Sequence, residues 1–443
     1  MKLGARGALG AMGAMGAAMT LLMTTSAWAQ GAPTELLPLT ERFVDTASGL
    51  PLAEAITGAL EREPSLRASR AEVDAVRGMR QQAGQRANPS LMFERREEPS
   101  GTDNLTTLQV SMPLELFRRS ARIAVAAREL EVTERFVADR TRMLINDIKM
   151  RYGQAASAAR EVTVADNLAY SARRDLELLR RRVDEGASPP LDRDRMAVEV
   201  HRLDAARLQA AGRAEAAMVN LKRSLGLKPD TPMKLKDTLE ILAPLLPSAD
   251  APAVQDRSDV REAEAQVRLT QARIDLAQAE GRFDVTIFGS YMRMDAGFSQ
   301  RGFDTGRELE RVRGLFHYAS AGAMVMVPLW NRSQGAIAAA RGEHNATVTR
   351  LEAAQLSAET EVAAAMAQAA QSTQALGVMA NGVSLARQNL EVVRQTYELG
   401  RGTLSDVLAE QRRYLEFENE YTSALREAFD ARTSLEFARG DIK

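Results

Sequence analysis

Residues 110–129 read VSMPLELFRRSARIAVAARE, and residues 325–343 read VMVPLWNRSQGAIAAARGE. Each stretch leaves a strand through Pro-Leu, passes an aromatic and a basic residue, and enters an Ala-rich helix. One chain therefore writes the same strand-to-helix junction twice. A repeat of this size is sought first, because missing it misassigns the whole fold.

The repeat extends in both directions. DLELLRRRVDEG at 175–186 matches NLEVVRQTYELG at 389–400, so Gly400 follows Gly186 by 214 residues. The same offset pairs Asp192 with Asp406, Leu221 with Leu435 and Gly226 with Gly440. Pro328 follows Pro113 by 215, whereas the helical stretches opening at Ser65 and Ser258 are related by 194 (Val267 against Val73). The change of offset predicts about twenty extra residues in the middle of the second unit, expected as a loop in the Gly-rich, charged stretch Asp295 to Gly314.

Each unit reads helix, strand, loop, strand, long helix, turn, helix. Pro64-Ser65 opens the first helix and Asn88-Pro89 closes it. Leu108, Val110, Met112 and Leu114 alternate with Thr107, Gln109, Ser111 and Pro113, the period-two signature of a half-buried strand. Strands are expected at about 90–97, 105–114, 283–294 and 317–329. A helical pattern of about 65–70 residues, on the order of 100 Å, then runs to Gly186 or Gly400. The returning helix is shorter, and the leading helix has about the missing length, so the two are expected to stack end to end beside the long one. The expected organisation is a signal peptide at 1–29, an N-terminal periplasmic segment at 30–62, repeat 1 at 63–227, a Pro-rich linker at 228–256 and repeat 2 at 257–441.

Composition narrows the function. Lys2 and Arg6, an apolar run and Ala27-Trp28-Ala29 form an export signal with cleavage before Gln30. The chain has no cysteine, which excludes disulfides, thiolate metal sites and a cysteine nucleophile. A net charge of −1 gives no basic footprint for nucleic acid. His201, His317 and His344 lack metal-ligand spacing, and no nucleophile elbow or phosphate loop occurs in the mature chain. The sequence therefore predicts no enzyme, no metal and no cofactor. Met292, Met294, Met324 and Met326, two residues apart within strands, are read as wall packing.

Two strands per unit make four per chain, too few to close on themselves. An open sheet cannot stand in lipid, where each backbone polar group needs a partner, and small membrane barrels need about eight strands. If the strands enter a membrane, several copies must share one barrel. Trp330 and Phe117 sit at the two junctions with Arg118, Arg119 and Arg332 beside them, as interfacial residues do at a bilayer surface.

On "PLELFRRSARIAVA", "PLWNRSQGAIAAA", "YELGRGTLSDVL" and the duplicated order of elements, the chain resembles the TolC-type outer-membrane efflux family over about residues 50–440, and looks most like its heavy-metal branch. The resemblance implies a mainly α fold with a small β part: a homotrimer in which each chain gives four strands to a shared twelve-stranded β-barrel and long helices to a coiled-coil tunnel. It implies a passive exit duct in the outer membrane lipid with a long periplasmic extension. The implied partners are a periplasmic adaptor (membrane fusion) protein and an inner-membrane transporter of the RND type. It also places Asp406, Asp192, Tyr397 and Arg401 at the channel entrance, with Ala409 and Glu410 where a second acidic ring would stand. Gly186, Gly400 and Gly402 mark the turn tips where the adaptor docks; Arg180, Arg181 and Arg182 read first as a solvated helix face and otherwise as a surface for an acidic adaptor. A type I secretion duct shares this architecture; a soluble periplasmic helical scaffold is the reading from another class.

Overall fold

The computed structural model describes residues 39–99, 103–244 and 256–440. The expected signal peptide, the start of the N-terminal segment and the middle of the Pro-rich linker lie outside the described residues. The chain runs α1 (Leu52–Arg62), α2 (Pro64–Ala83), β1 (Ser90–Glu97), β2 (Asn104–Pro113), α3 (Arg118–Asp184), α4 (Pro190–Ser224), α5 (Leu239–Leu242), α6 (Ser258–Glu280), β3 (Asp284–Phe303), β4 (Leu309–Met326), α7 (Gln334–Glu398) and α8 (Leu404–Arg439). The order α2–β1–β2–α3–α4 recurs as α6–β3–β4–α7–α8, so the duplication read from the sequence is a duplication of structure.

The short helices stack end to end along the long ones. Gly226, at φ +69°, ends α4 where α2 begins: a Cβ there would lie 3.1 Å from the Arg62 carbonyl oxygen. Its repeat partner Gly440, at φ +79°, ends α8 against Arg257, just before α6. Only a residue without a Cβ takes this left-handed turn at low cost while two helix ends abut.

Helix α3 is the centre of the packing, flanked by α2, α4, α6 and α8. Ala155, Ala156, Ala159, Ala169 and Ala172 of α3 and Ala210, Ala214 and Ala217 of α4 are buried. Their small side chains let the helix backbones approach closely. Midway, Tyr152 is fully buried. Its hydroxyl donates to the Leu50 carbonyl at 2.8 Å and accepts from the Asp237 N–H at 3.1 Å, pinning the N-terminal segment and the inter-repeat connection to the same turn of α3. Burial pushes the Tyr152 hydroxyl well above its ordinary pKa, so it stays a donor.

The arginines of "FRRSAR" finish helices. Arg119 donates to the Gly84 carbonyl (3.1 and 2.7 Å), and Arg122 to the carbonyls of Ala83 (3.1 Å) and Gln85 (3.0 Å), all at the end of α2. Arg118 donates to the Glu280 carbonyl at the end of α6. The last carbonyls of a helix have no partner within it, and these side chains supply one where the chain turns into the sheet.

The four strands form one antiparallel sheet in the order β1-β2-β3-β4. Here the extra length of repeat 2 departs from the loop expected over 295–314. β3 continues to Phe303 and β4 starts at Leu309, leaving only residues 304–308 as the turn. The pairing of β2 with β3 ends at Asn104 opposite Asp295, and beyond that row β3 and β4 pair only with each other. Most of the inserted residues pair across the hairpin, with a bulge between Gly297 and Arg301, which a polar loop reading does not anticipate.

Candidate channel entrance and membrane wall

At the end of the chain remote from the sheet, two helical turns carry the residues singled out above. α3 closes with Gly186 at φ +72°, and α7 with Gly400 at φ +74°. The bonds match: Gly186 N–H to Val183 O (3.0 Å) and Ala187 N–H to Arg182 O (2.7 Å), against Gly400 N–H to Tyr397 O (2.9 Å) and Arg401 N–H to Thr396 O (3.0 Å). Both are Schellman endings. Gly402 lies two residues on, half-buried against the Tyr397 backbone.

The following helices start differently. α4 begins on Pro189-Pro190 without a side-chain cap. α8 begins with a capping box: Thr403 Oγ1 accepts from the Asp406 N–H, and the Asp406 carboxylate accepts from the Thr403 N–H at 3.2 Å and hydroxyl at 2.7 Å. Hydrogen bonds from Thr403 hold the exposed Asp406 carboxyl below its ordinary pKa. The acid is thereby kept charged and fixed in direction.

Tyr397 is the meeting point of the two turns. Its ring lies 6.0 Å from the Arg182 guanidinium, and Arg182 reaches the Glu398 carbonyl at 3.4 Å. Burial pushes the Tyr397 hydroxyl up, and the neighbouring Asp192 carboxylate adds to this while Arg182 opposes it. Asp192 and Tyr397 are thus brought together, whereas Arg401 stands exposed. Of the three consecutive arginines, Arg182 bridges the turns while Arg180 and Arg181 are exposed.

One link went unread in the sequence. Arg394 of α7 bonds Asp175 (2.9 Å) and Ser171 (2.9 Å) of α3, and burial pushes the Asp175 carboxyl up against the pull of Arg394. The repeat partner of Asp175 is Asn389, so comparing the units gave no charge pair to find. A third inter-repeat link lies farther up: Glu418 of α8, almost fully buried, accepts from Arg160 of α3 (2.8 Å) and from Tyr414 (2.5 Å), with Arg387 of α7 at 3.4 Å. Burial works against ionisation of Glu418, but hydrogen bonds from Tyr414 and Arg160 outweigh it and hold the carboxyl below its ordinary pKa.

At the other end, register sorts the sheet into two faces, because directly paired residues share a side. One face carries Leu91, Phe93, Leu108, Val110, Met112, Val285, Ile287, Tyr291, Ala319, Ala321, Ala323 and Val325. The other is more polar, carrying Ser90, Glu94, Thr107, Gln109, Ser111, Asp284, Thr286, Ser290 and Ser320 along with Phe288 and Tyr318. The apolar band spans about 20 Å along β3, near the roughly 25 Å band of outer-membrane barrels. Met92, Met292, Met294, Met324 and Met326 all fall on the polar face, where Met324 and Met326 stand exposed rather than filling gaps. At the junctions, Trp330 is 88% exposed. Phe117 instead packs edge-on against Phe283 at 5.4 Å, with Arg282 5.1 Å from its ring. No helix among the described residues is long and apolar enough to cross a membrane.

A membrane-faced sheet rooted on paired long helices is the architecture of solved outer-membrane channels. The chain superposes on CusC with a TM-score of 0.71 at 18% identity, covering 90% of this chain and 93% of that one. For VceC of Vibrio cholerae the values are 0.67, 19%, 88% and 96%. For MtrE of Neisseria gonorrhoeae, solved in its open state, they are 0.68, 19%, 88% and 88%. No curated protein sequence matches significantly. The outer membrane efflux protein family matches residues 55–227 and 252–441, and the chain belongs to that family. It is an outer-membrane efflux channel protein of the TolC type, and the class is one of ducts.

Proposed function

We propose that three copies of this chain close a twelve-stranded barrel in the outer membrane and a helical tunnel reaching into the periplasm, forming the exit duct of a tripartite efflux system. The observation that carries this reading is the sheet. It has an apolar outer face, a polar inner face, and two open edges, at β1 and β4. In lipid those edges must pair, and β4 of one copy against β1 of the next supplies the partner. Helix α7 supports the same closure. Leu356, Val378, Leu385 and Val392 are exposed along it, on the side-by-side repeat of an element that is packed on both flanks in α3.

In this reading the Gly186 and Gly400 turns form the periplasmic tip, docking a membrane-fusion adaptor that joins an RND-type inner-membrane transporter. Asp406 from each copy rings the entrance and favours cations, while the Arg182, Tyr397, Asp192 and Arg394–Asp175 contacts hold α7 against α3 and keep the entrance narrow.

The test is the purified mature protein in planar bilayers. We expect a trimer by mass in detergent and low conductance in KCl. Arg394→Ala should raise conductance several-fold, and Asp406→Asn should weaken block by multivalent cations without disturbing the cap. A monomer stable without detergent would overturn the duct; unchanged conductance and unchanged block in both variants would remove these residues from the entrance.

A further inference from the structure

Beyond the apolar band, the outward face of the β3–β4 hairpin becomes basic. Arg95, Thr106, Arg293 and His317 form one row across all four strands. Arg313, opposite Gly297, and Arg311, opposite Arg301, follow on the same face of β4. Their Cα positions stand about 13–20 Å farther along the strand than His317.

The two signs of charge segregate. Glu310, opposite Gly302, alternates with Arg311 and therefore faces inward. Among the paired strand residues beyond the apolar band, outward acids occur only one row above His317, at Asp295 and Glu97, and Glu97 is bonded to Arg95. Arg301, Arg311 and Arg313 are exposed and have no ion-pair partner among the described residues. A solvated hairpin has no physical reason to send arginine to one side and glutamate to the other. A hairpin standing against a phosphorylated surface does.

We propose that Arg301, Arg311 and Arg313 form a binding site for the phosphate groups of the glycolipid that makes up the outer leaflet around the barrel. The inference rests on the duct reading, since only a barrel gives this sheet an outer face. Three observations converge on a lipid headgroup. The arginines lie on the lipid-facing side, they begin above the apolar band, and they continue the line of strands that contacts acyl chains. Guanidinium groups match phosphate oxygens in two-pronged geometry. Paired with Arg301 across the hairpin, Arg311 offers two such forks side by side. Bound glycolipid would clamp the part of the hairpin that no neighbouring strand supports.

The experiment uses the detergent-purified trimer with lipid A as probe, in phosphorylated and dephosphorylated forms, with retention read by native mass spectrometry. The expected result is retention of phosphorylated lipid A by the wild type. In the Arg301→Gln, Arg311→Gln, Arg313→Gln triple variant, affinity should fall on the order of a hundredfold, taking roughly fivefold per arginine near an anionic surface. Added salt should weaken wild-type binding toward the level of the variant, and Glu310→Gln, which faces inward, should change nothing. Equal retention of the two lipid forms, or equal retention by wild type and triple variant, would overturn the site. KCl conductance of the same samples separates the readings. A conducting wild-type trimer that ignores the phosphates sinks only the lipid site, and one that forms no pore sinks the duct and the site together.

Discussion

Helices α3 and α7 are two copies of one element, 67 and 65 residues long, in unlike surroundings. α3 has helices on both flanks and buries aromatic, aliphatic and charged side chains along its length. α7 packs mainly on α6 and α8, meets α3 at Arg394 and Tyr397 near the turns, and among the described residues buries only Thr347, Ala358, Ser372, Val383, Ala386 and Leu390. Even the capping arginines are one-sided. Arg118, Arg119 and Arg122 at the start of α3 serve both α2 and α6, while the equivalent stretch at the start of α7 carries Ser333, Gln334 and Ile337. The lesson is that position in the wall, not ancestry, sets what each copy of a repeat must do. The first copy became the keel of the single chain, and the second was left with a flank for another chain to cover.

That contrast can be broken by mutating repeat-equivalent pairs. The largest effect is expected at Glu418, whose partner 214 residues earlier is Asp204. Glu418→Ala removes an almost fully buried carboxylate from Arg160, which keeps only the more exposed Glu240, and should cost about 3 kcal/mol, the low end for breaking a buried pair, whereas Asp204→Ala loses only a half-exposed pair with Arg173 and should cost about 0–1 kcal/mol. Denaturant midpoints compare the two, and similar losses would mean the halves are energetically alike. The same carboxylate gives a pH signature. Because the folded state holds Glu418 below its ordinary pKa, its contribution is present above the unfolded value and lost as pH falls through the lowered one. The acid-side loss of stability should shrink in Glu418→Gln.

A middle-sized effect is expected at Tyr152, paired by the repeat with exposed Met366. Tyr152→Phe strips a partner from the Leu50 carbonyl and the Asp237 amide and should cost about 1–3 kcal/mol. Met366→Leu should be near neutral, because the two side chains are similar in volume. Thermal unfolding would read both, and an effect of Met366→Leu on trimer yield alone would sharpen the assignment of α7 to an interface between copies.

The smallest effect is local. Asp406, exposed yet held below its ordinary pKa by Thr403, should stabilise the first turn of α8 above its unfolded pKa and release it as pH falls. Hydrogen-exchange protection factors at residues 404–408, taken relative to the unstructured rate at each pH, should fall in acid. The α4 start at Pro190, which has no such box, should show no matching change.

The order of elements, the stacking of short helices on long ones and the glycine turns were all legible, because periodicity and punctuation are local properties written twice. The lipid face was not. Apart from Ser320, residues 319–327 are apolar at every position, and only the register against β3 sorts Ala319 and Ala321 from Tyr318 and Ser320. Asp406 was legible as an acid beside a turn, but its bond to Thr403 depends on the geometry of one helical start. Arg394 with Asp175 escaped because two helices far apart in sequence meet there, and the charges occupy non-equivalent positions of the repeat. The added residues of the second unit read as a loop by composition, although most of them pair across the hairpin, on either side of a bulge between Gly297 and Arg301.

That hairpin leaves one practical legacy. Its tip is self-contained: the Asp304 side chain accepts from the Gly306 and Glu308 amides at 2.7 and 3.0 Å, and the rows beneath it bond to no other strand. Foreign sequence grafted between Arg307 and Glu308 should therefore be displayed at the cell surface while the rest of the molecule folds unaware of it, making this turn a natural handle for epitope tags and fluorescent labels on living cells.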